Sequence, residues 1–250
     1  MIKLFSLELR RNPMKRNLLT ILAVAAFLLG LTYLFAYIPH KSSDIAIEMA
    51  IVNAIAPVFS NYRSIAALTS ILSMVCFAVF SAAIFNQLII KDFTGKRLYL
   101  LLSYPIKKST IFLAKVITAT AISILAMLLC NTLVFAIFYY IETLFPVVMG
   151  DGISIGVFED TVKLSLLFSV ISTAIGIISM WAGFIKRSSQ ITLITSFAFS
   201  VVLSNLLGFS LLADLSAAMS GFIIFALVLL VVAIILTAGL TRRVNQMEVE

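Results

Sequence analysis

Residues 91–115 read KDFTGKRLYLLLSYPIKKSTIFLAK and separate two long apolar runs, 64–90 and 116–140. Each run exceeds the roughly 20 apolar residues that cross a bilayer, so the segment between them is predicted to be a loop joining two membrane helices. The loop is basic at both ends, but its middle, 98–102, is apolar. Pro105 should end any helix here, because proline has no amide hydrogen and restricts the residue before it. We therefore expect a short helix at the membrane surface that packs against headgroups, its own bundle or a partner protein.

Composition places the whole chain in a membrane. It has 250 residues, of which 62% are hydrophobic and 12% charged, whereas about a quarter of a soluble domain is charged. The net charge is +7, but the basic residues flank apolar runs, which indicates membrane orientation and not a nucleic-acid partner. The prediction is an all-α integral membrane protein in contact with the lipid bilayer, built as a single transmembrane domain over 1–250. Cys76 and Cys130 fall inside predicted spans, so a disulfide is not expected.

Six apolar runs predict six transmembrane helices, at about 18–38, 64–90, 116–140, 162–185, 191–212 and 220–240. The basic start, 1–17, is predicted to form an amphipathic elbow helix in the headgroup plane, and a plain positive flank is the alternative. With an even number of spans, 15 of the 18 Lys and Arg residues lie on the side of both termini. The positive-inside rule then places both termini in the cytoplasm.

The loop motif resembles the permease subunit of ABC-2-type exporters. The resemblance is carried by an acidic residue, a glycine, a Leu-Leu-Ser-x-Pro-Ile run, and an Ile and a Lys that begin the next span: Asp92, Gly95, Leu101, Leu102, Ser103, Pro105, Ile106, Ile111 and Lys115. In that family the loop is similar to a coupling helix that docks on a separate ATPase. The resemblance therefore implies a set of docking residues, Asp92, Gly95, Leu98, Leu101, Leu102, Ser103, Pro105, Lys107 and Lys108.

The same resemblance implies the partners and the cargo. Cytoplasmic ABC ATPase subunits would bind ATP and Mg²⁺, so this chain would hold no cofactor and would not itself be an enzyme. A second permease subunit, identical or related, would complete a dimer in the cell (plasma) membrane. Small permeases of this kind export peptides, lipids or hydrophobic drugs, which makes an amphipathic substrate the expectation.

The predicted spans contain no Asp, Glu, Lys or Arg at mid-depth. Proton-coupled transporters usually keep ionisable groups there, so their absence argues against that mechanism, although a sodium site of carbonyls and hydroxyls stays open. No phosphate-binding loop is recognisable in the chain, because Arg97 and Ile90 occupy the positions where the motif near Gly95 needs a hydroxyl and a glycine. Any ATPase is therefore expected to be a separate protein.

Polar side chains within the spans are candidates for a translocation path or for helix packing. The set is Asn131, Asn205, Ser165, Ser169 and Thr173. Ser165, Ser169 and Thr173 recur every fourth residue, a spacing that permits close helix approach, so packing is the favoured interpretation.

Two other functions stay open from the sequence. A non-energised membrane scaffold or assembly factor would use the same loop to bind a partner without ATP. A secondary transporter is the weaker alternative, since it requires a coupling-ion site that the spans do not suggest.

Overall fold

The computed structural model describes residues 14–41, 62–93, 108–145, 155–186, 188–211 and 215–245. Within these ranges the protein is all-helical, with six helices long and apolar enough to span a membrane. We number them α1 to α6. Five are α1 Met14–Lys41, α3 Lys108–Leu144, α4 Ile155–Lys186, α5 Ser189–Leu211 and α6 Leu215–Asn245. The remaining helix, α2, is composite: α-helical over Tyr62–Phe85, π-helical over Asn86–Ile90 and α-helical again over Lys91–Phe93.

The predicted six-span all-α architecture is confirmed, but the helices extend beyond the predicted spans. The largest difference is at α3, which begins at Lys108 and ends at Leu144, where the prediction was 116–140. The helix therefore includes charged residues that had been assigned to the loops on either side. The predicted elbow, 1–17, lies outside the described residues except for 14–17, which form the start of α1.

The centre of the bundle is the pair α2 and α4. In their most apolar stretches 61% and 67% of the residues are buried, against 11% in α1. Phe77, Phe85 and Phe168 are fully buried in this core. The outer faces of α1, α5 and α6 carry exposed large apolar side chains such as Leu22, Phe197 and Ile235. In a membrane protein such faces are covered by lipid or by other helices.

Two glycines on α4 allow its neighbours to approach closely. A Cβ at position 176 would overlap the Ser81 hydroxyl of α2, and a Cβ at position 183 would overlap the Thr192 hydroxyl of α5. The Ser81 hydroxyl also lies 3.2 Å from the Ser172 carbonyl oxygen, to which it can donate. Small residues thus allow the backbone of α4 to approach α2 and α5 closely, as is usual where helices pack in lipid.

Candidate functional site

The predicted docking segment is only partly within the described residues. Its members Gly95, Leu98, Leu101, Leu102, Ser103, Pro105 and Lys107 lie outside them, so their role stays a prediction. The structure gives the two borders of the segment: α2 ends at Phe93, and α3 begins at Lys108. Asp92 sits at the first border.

Asp92 and Lys115 form a buried ion pair across these borders. The Lys115 ammonium donates to Asp92 Oδ2 at 2.6 Å and to the Leu88 carbonyl oxygen at 3.1 Å. Only 6% of the Asp92 side chain and 2% of the Lys115 side chain are exposed. The pair ties the end of α2 to the second turn of α3, and it fixes the chain on both sides of residues 94–107.

The π-helical segment of α2 lies directly before this ion pair. Residues 86–90 wind more widely than an α-helix, and the Lys91 amide donates to the Asn86 carbonyl oxygen five residues earlier. The Leu88 carbonyl oxygen that accepts from Lys115 belongs to this segment. Single π-helical turns inside α-helices are rare in proteins overall. Where they occur, they are often at functional sites.

The opposite end of α3 carries a second buried acid. Glu142 is 2% exposed, and its Oε1 accepts a hydrogen bond of 3.1 Å from the Tyr62 hydroxyl at the start of α2. The Tyr62 ring also packs edge-on against Tyr139, at 6.4 Å between ring centroids. Nearby, Arg63 pairs with Asp160 of α4 at 3.0 Å on a more exposed surface. The first turn of α2 is thus held to both α3 and α4.

The spacing of the two buried charges on α3 matches the thickness of a bilayer. Glu142 follows Lys115 by 27 residues, which is about 40 Å along an α-helix. A bilayer with its headgroup regions is about 40–45 Å thick. The distance between Lys115 and Glu142 is thus long enough for one to lie at each interface, with the apolar residues between them inside the membrane. This placement agrees with the absence of ionisable residues at mid-depth in the sequence.

Between these two levels lies a buried amide. Asn131 is 1% exposed, and its Nδ2 donates to Ser73 Oγ of α2 at 3.0 Å and to Ser165 Oγ of α4 at 3.4 Å. Its Oδ1 is buried and has no hydrogen-bond partner among the described residues. Through these two hydrogen bonds the Asn131 side chain joins α2, α3 and α4 in the interior of the bundle. Hydrogen bonds of this kind link helices in lipid.

The other candidate residues do not join this contact. Ser169 is buried, and its hydroxyl donates to the Leu166 carbonyl of its own helix. Thr173 is also buried and donates to the Ser169 carbonyl oxygen. Asn205 lies on the exposed face of α5 and donates to Val201 O in its own helix. Asn131 and Ser165 are thus brought together, while Asn205 is turned away from the interior.

Sequence reasoning missed the Asp92–Lys115 pair and the burial of Glu142. Both residues of the pair had been named for the loop motif, but their contact had not been predicted. The available signal was a pair of opposite charges at the facing ends of two consecutive spans. Glu142 falls just beyond the predicted span, 116–140, and nothing local in the sequence points to its hydrogen bond with Tyr62.

Comparison with known proteins finds a distant similarity and does not show a family. No family model matches the chain, and no solved structure matches it. A curated protein of Bacillus subtilis (strain 168), described as the uncharacterized protein YcbO, is 23% identical to it over 129 residues. The match covers 52% of this chain and 56% of that protein, so the chain spans about half the length of the curated relative it matches.

Proposed function

We propose that the chain is the permease subunit of an ATP-driven ABC-2-type exporter in the plasma membrane, with both termini in the cytoplasm. In this proposal the segment from Asp92 to Lys108 forms the docking element for a separate ATPase. The supporting observation is the Asp92–Lys115 ion pair, because it fixes the chain at both borders of that segment. A docking element can transmit motion only if its attachments to the membrane helices are firm.

The ion pair also indicates how motion would enter the bundle. A displacement of the docked segment acts on α2 and α3 together, since Lys115 holds both Asp92 and the Leu88 carbonyl. A π-helical segment lies just before the end of α2, whereas α3 is a continuous α-helix. We therefore expect α2 to be the helix that bends. The helix bundle would have two arrangements, and the closed ATPases would bind one of these more tightly than the other. Closure of the ATPases would then shift the bundle toward that arrangement.

The translocation path is proposed to form where two permease subunits meet. The exposed apolar faces of α1 and α5 offer surface for such contact. Asn205, on the exposed face of α5, would then line the subunit interface and not the interior of one subunit. An amphipathic cargo, such as a peptide, a lipid or a hydrophobic drug, suits apolar walls that carry a few amides and hydroxyls.

The test is binding of an ATPase through the docking segment. Leu101→Glu and Leu102→Glu place a charge in the apolar middle of the segment, and each should abolish co-purification of a Walker-type ATPase from native membranes. Membrane insertion should be unchanged, because the positions lie outside the spans. Met247→Glu adds the same charge on the same predicted side but outside the segment, and it should leave the co-purification intact.

Two outcomes contradict the proposal. Normal ATPase binding by both leucine variants shows that the segment is not the docking element. Capture of a stable partner without nucleotide hydrolysis favours the scaffold or assembly factor and removes the exporter.

A further inference from the structure

A groove between α3, α4 and α6 is a candidate ligand site. Its volume is about 710 Å³, within the range of about 300–1,000 Å³ that is typical of small-molecule sites. Val116 and Ile117 of α3, Ile177 of α4, and Ala233 and Ile234 of α6 line it. Its walls are therefore almost wholly hydrocarbon.

The few hydroxyls in the groove are already engaged. Four threonines line the groove, and each donates to the backbone carbonyl oxygen four residues earlier in its own helix: Thr120, Thr173, Thr237 and Thr241. Their protons are therefore not available to a ligand. A ligand in this groove is recognised along its length by apolar contact alone.

The groove has the length of one membrane leaflet. On α3 its lining runs from Leu113 to Ile124, and on α6 from Leu230 to Arg242. These stretches correspond to about 16–18 Å of α-helix, and half of a hydrocarbon core is about 15 Å. Because Leu113 lies in the turn before Lys115, the groove begins at the interface level defined above and reaches to mid-membrane.

Arg242 lies at the interface end of this lining. The described residues place no carboxylate within 4.0 Å of its guanidinium. Guanidinium groups bind phosphate through paired, charge-assisted hydrogen bonds. The groove thus combines an apolar slot one leaflet long with an arginine, a side chain suited to bind phosphate, at one end of its lining.

We propose that this groove holds one acyl chain of an anionic phospholipid, with the lipid phosphate paired to Arg242. Bilayer hydrocarbon is as apolar as the groove, so burying the chain brings no hydrophobic gain and selectivity must come from the headgroup. A second copy of this chain fits less well, because the last turn of α6 carries both Arg242 and Arg243, so a symmetric contact at this end would bring like charges together. The inference does not depend on the exporter function.

The chain carries its own reporter for this site. Trp181 is the single tryptophan of the sequence, and it follows Ile177 by one helical turn on the same face of α4. Its side chain is 38% exposed. Trp181 lies one turn beyond the part of α4 that lines the groove. Bromine atoms on a lipid chain quench tryptophan on contact, so Trp181 is placed to report a lipid held beside it.

The experiment measures Trp181 fluorescence of the full chain in phosphatidylcholine vesicles that contain dibromo-phosphatidylglycerol or dibromo-phosphatidylcholine. We expect about a fivefold preference for the glycerol lipid, the effect of one arginine near an anionic lipid. Arg242→Gln should remove the preference. Arg243→Gln, which changes the neighbouring charge outside the groove, should retain it.

A second pair of variants tests the slot apart from the charge. Ala233→Phe fills the groove and should also remove the preference, whereas Ile235→Phe, on the exposed face of α6, should not. Equal quenching by the two lipids in the natural chain overturns the proposal, as does an equal loss in both arginine variants. If quenching by both lipids falls as the protein-to-lipid ratio rises, a second copy of the chain displaces lipid from the groove. That result would also overturn the proposal.

Discussion

At the scale of single residues, the buried Asp92–Lys115 pair constrains how α2 and α3 pack together. Removing two charges from water costs several kcal/mol for each, so a buried pair adds little net stability. It can, however, define register. Lys115 Nζ reaches both Asp92 Oδ2 and Leu88 O, which requires one particular placement of α3 against α2. We therefore interpret the pair as a device that positions the two helices.

Removing one member of the pair should be costly. Lys115→Met keeps much of the aliphatic side chain but removes the counter-charge of the buried Asp92 carboxylate. We expect a loss of about 3–5 kcal/mol in the free energy of unfolding, measured as a lower unfolding midpoint of the protein in detergent. Lys163→Met is the control, since Lys163 is 65% exposed and its carboxylate contacts are 3.8 and 3.9 Å long; its loss should stay below about 1 kcal/mol.

The double variant separates pairing from simple loss of a side chain. Asp92→Asn combined with Lys115→Met leaves neither charge in place, so we expect it to be more stable than Lys115→Met alone. Additive losses in the double variant would show that the two side chains do not interact in the folded protein.

At the scale of helices, the bundle depends on how closely α2 and α4 approach. Gly176→Val should disrupt this contact, because even a Cβ at position 176 overlaps the Ser81 hydroxyl. Overpacking of this kind typically costs about 1–3 kcal/mol, read again as a lower unfolding midpoint. Gly239→Val is the matched control, since a Cβ there meets nothing within 4 Å. Equal midpoints for the two variants would mean that α2 and α4 are not in close contact.

The helices themselves could be predicted from the sequence, because length and apolarity are local properties of a chain. Their ends were harder to predict. Lys115 and Glu142 are charged and were assigned to loops, yet both are buried within α3 through partners distant in sequence, Asp92 and Tyr62. The π-helical segment, 86–90, has no sequence signal that we can identify.

The faces of the helices could not be predicted. Asn131 and Asn205 look alike in the sequence, since each is an amide inside an apolar run. One is buried between three helices and the other is exposed. A helix that is apolar all round has no polar side, so hydrophobic periodicity does not indicate which side faces inward. Only the packed bundle distinguishes the two.

At the scale of the whole molecule, charge is distributed unequally between the two sides of the membrane. Six spans place residues 91–115, 186–190 and both termini on one side, with 15 of the 18 Lys and Arg residues. The positive-inside rule predicts that this side faces the cytoplasm. The proposed orientation would place the Asp92–Lys115 pair and Arg242 toward the cytoplasmic surface and Glu142 toward the exterior.

Cysteine labelling tests this orientation. Both natural thiols are free, so Cys76→Ala and Cys130→Ala provide a cysteine-free background. In it, Asp151→Cys should react with a membrane-impermeant maleimide on intact cells, whereas Met247→Cys should react only after permeabilisation. The reverse pattern would place the docking segment outside the cell and remove the exporter proposal with it.

The length of α3 has a mechanical consequence. Its 37 residues form one uninterrupted α-helix, a rod of about 55 Å. Turning such a rod by about 10° around its middle carries each tip through about 5 Å in opposite directions. A displacement of the helix near Lys108, on one membrane surface, therefore moves the end near Glu142, on the other surface, in the opposite direction. A contact made on one side of the bilayer would thus change the position of the helix on the other side.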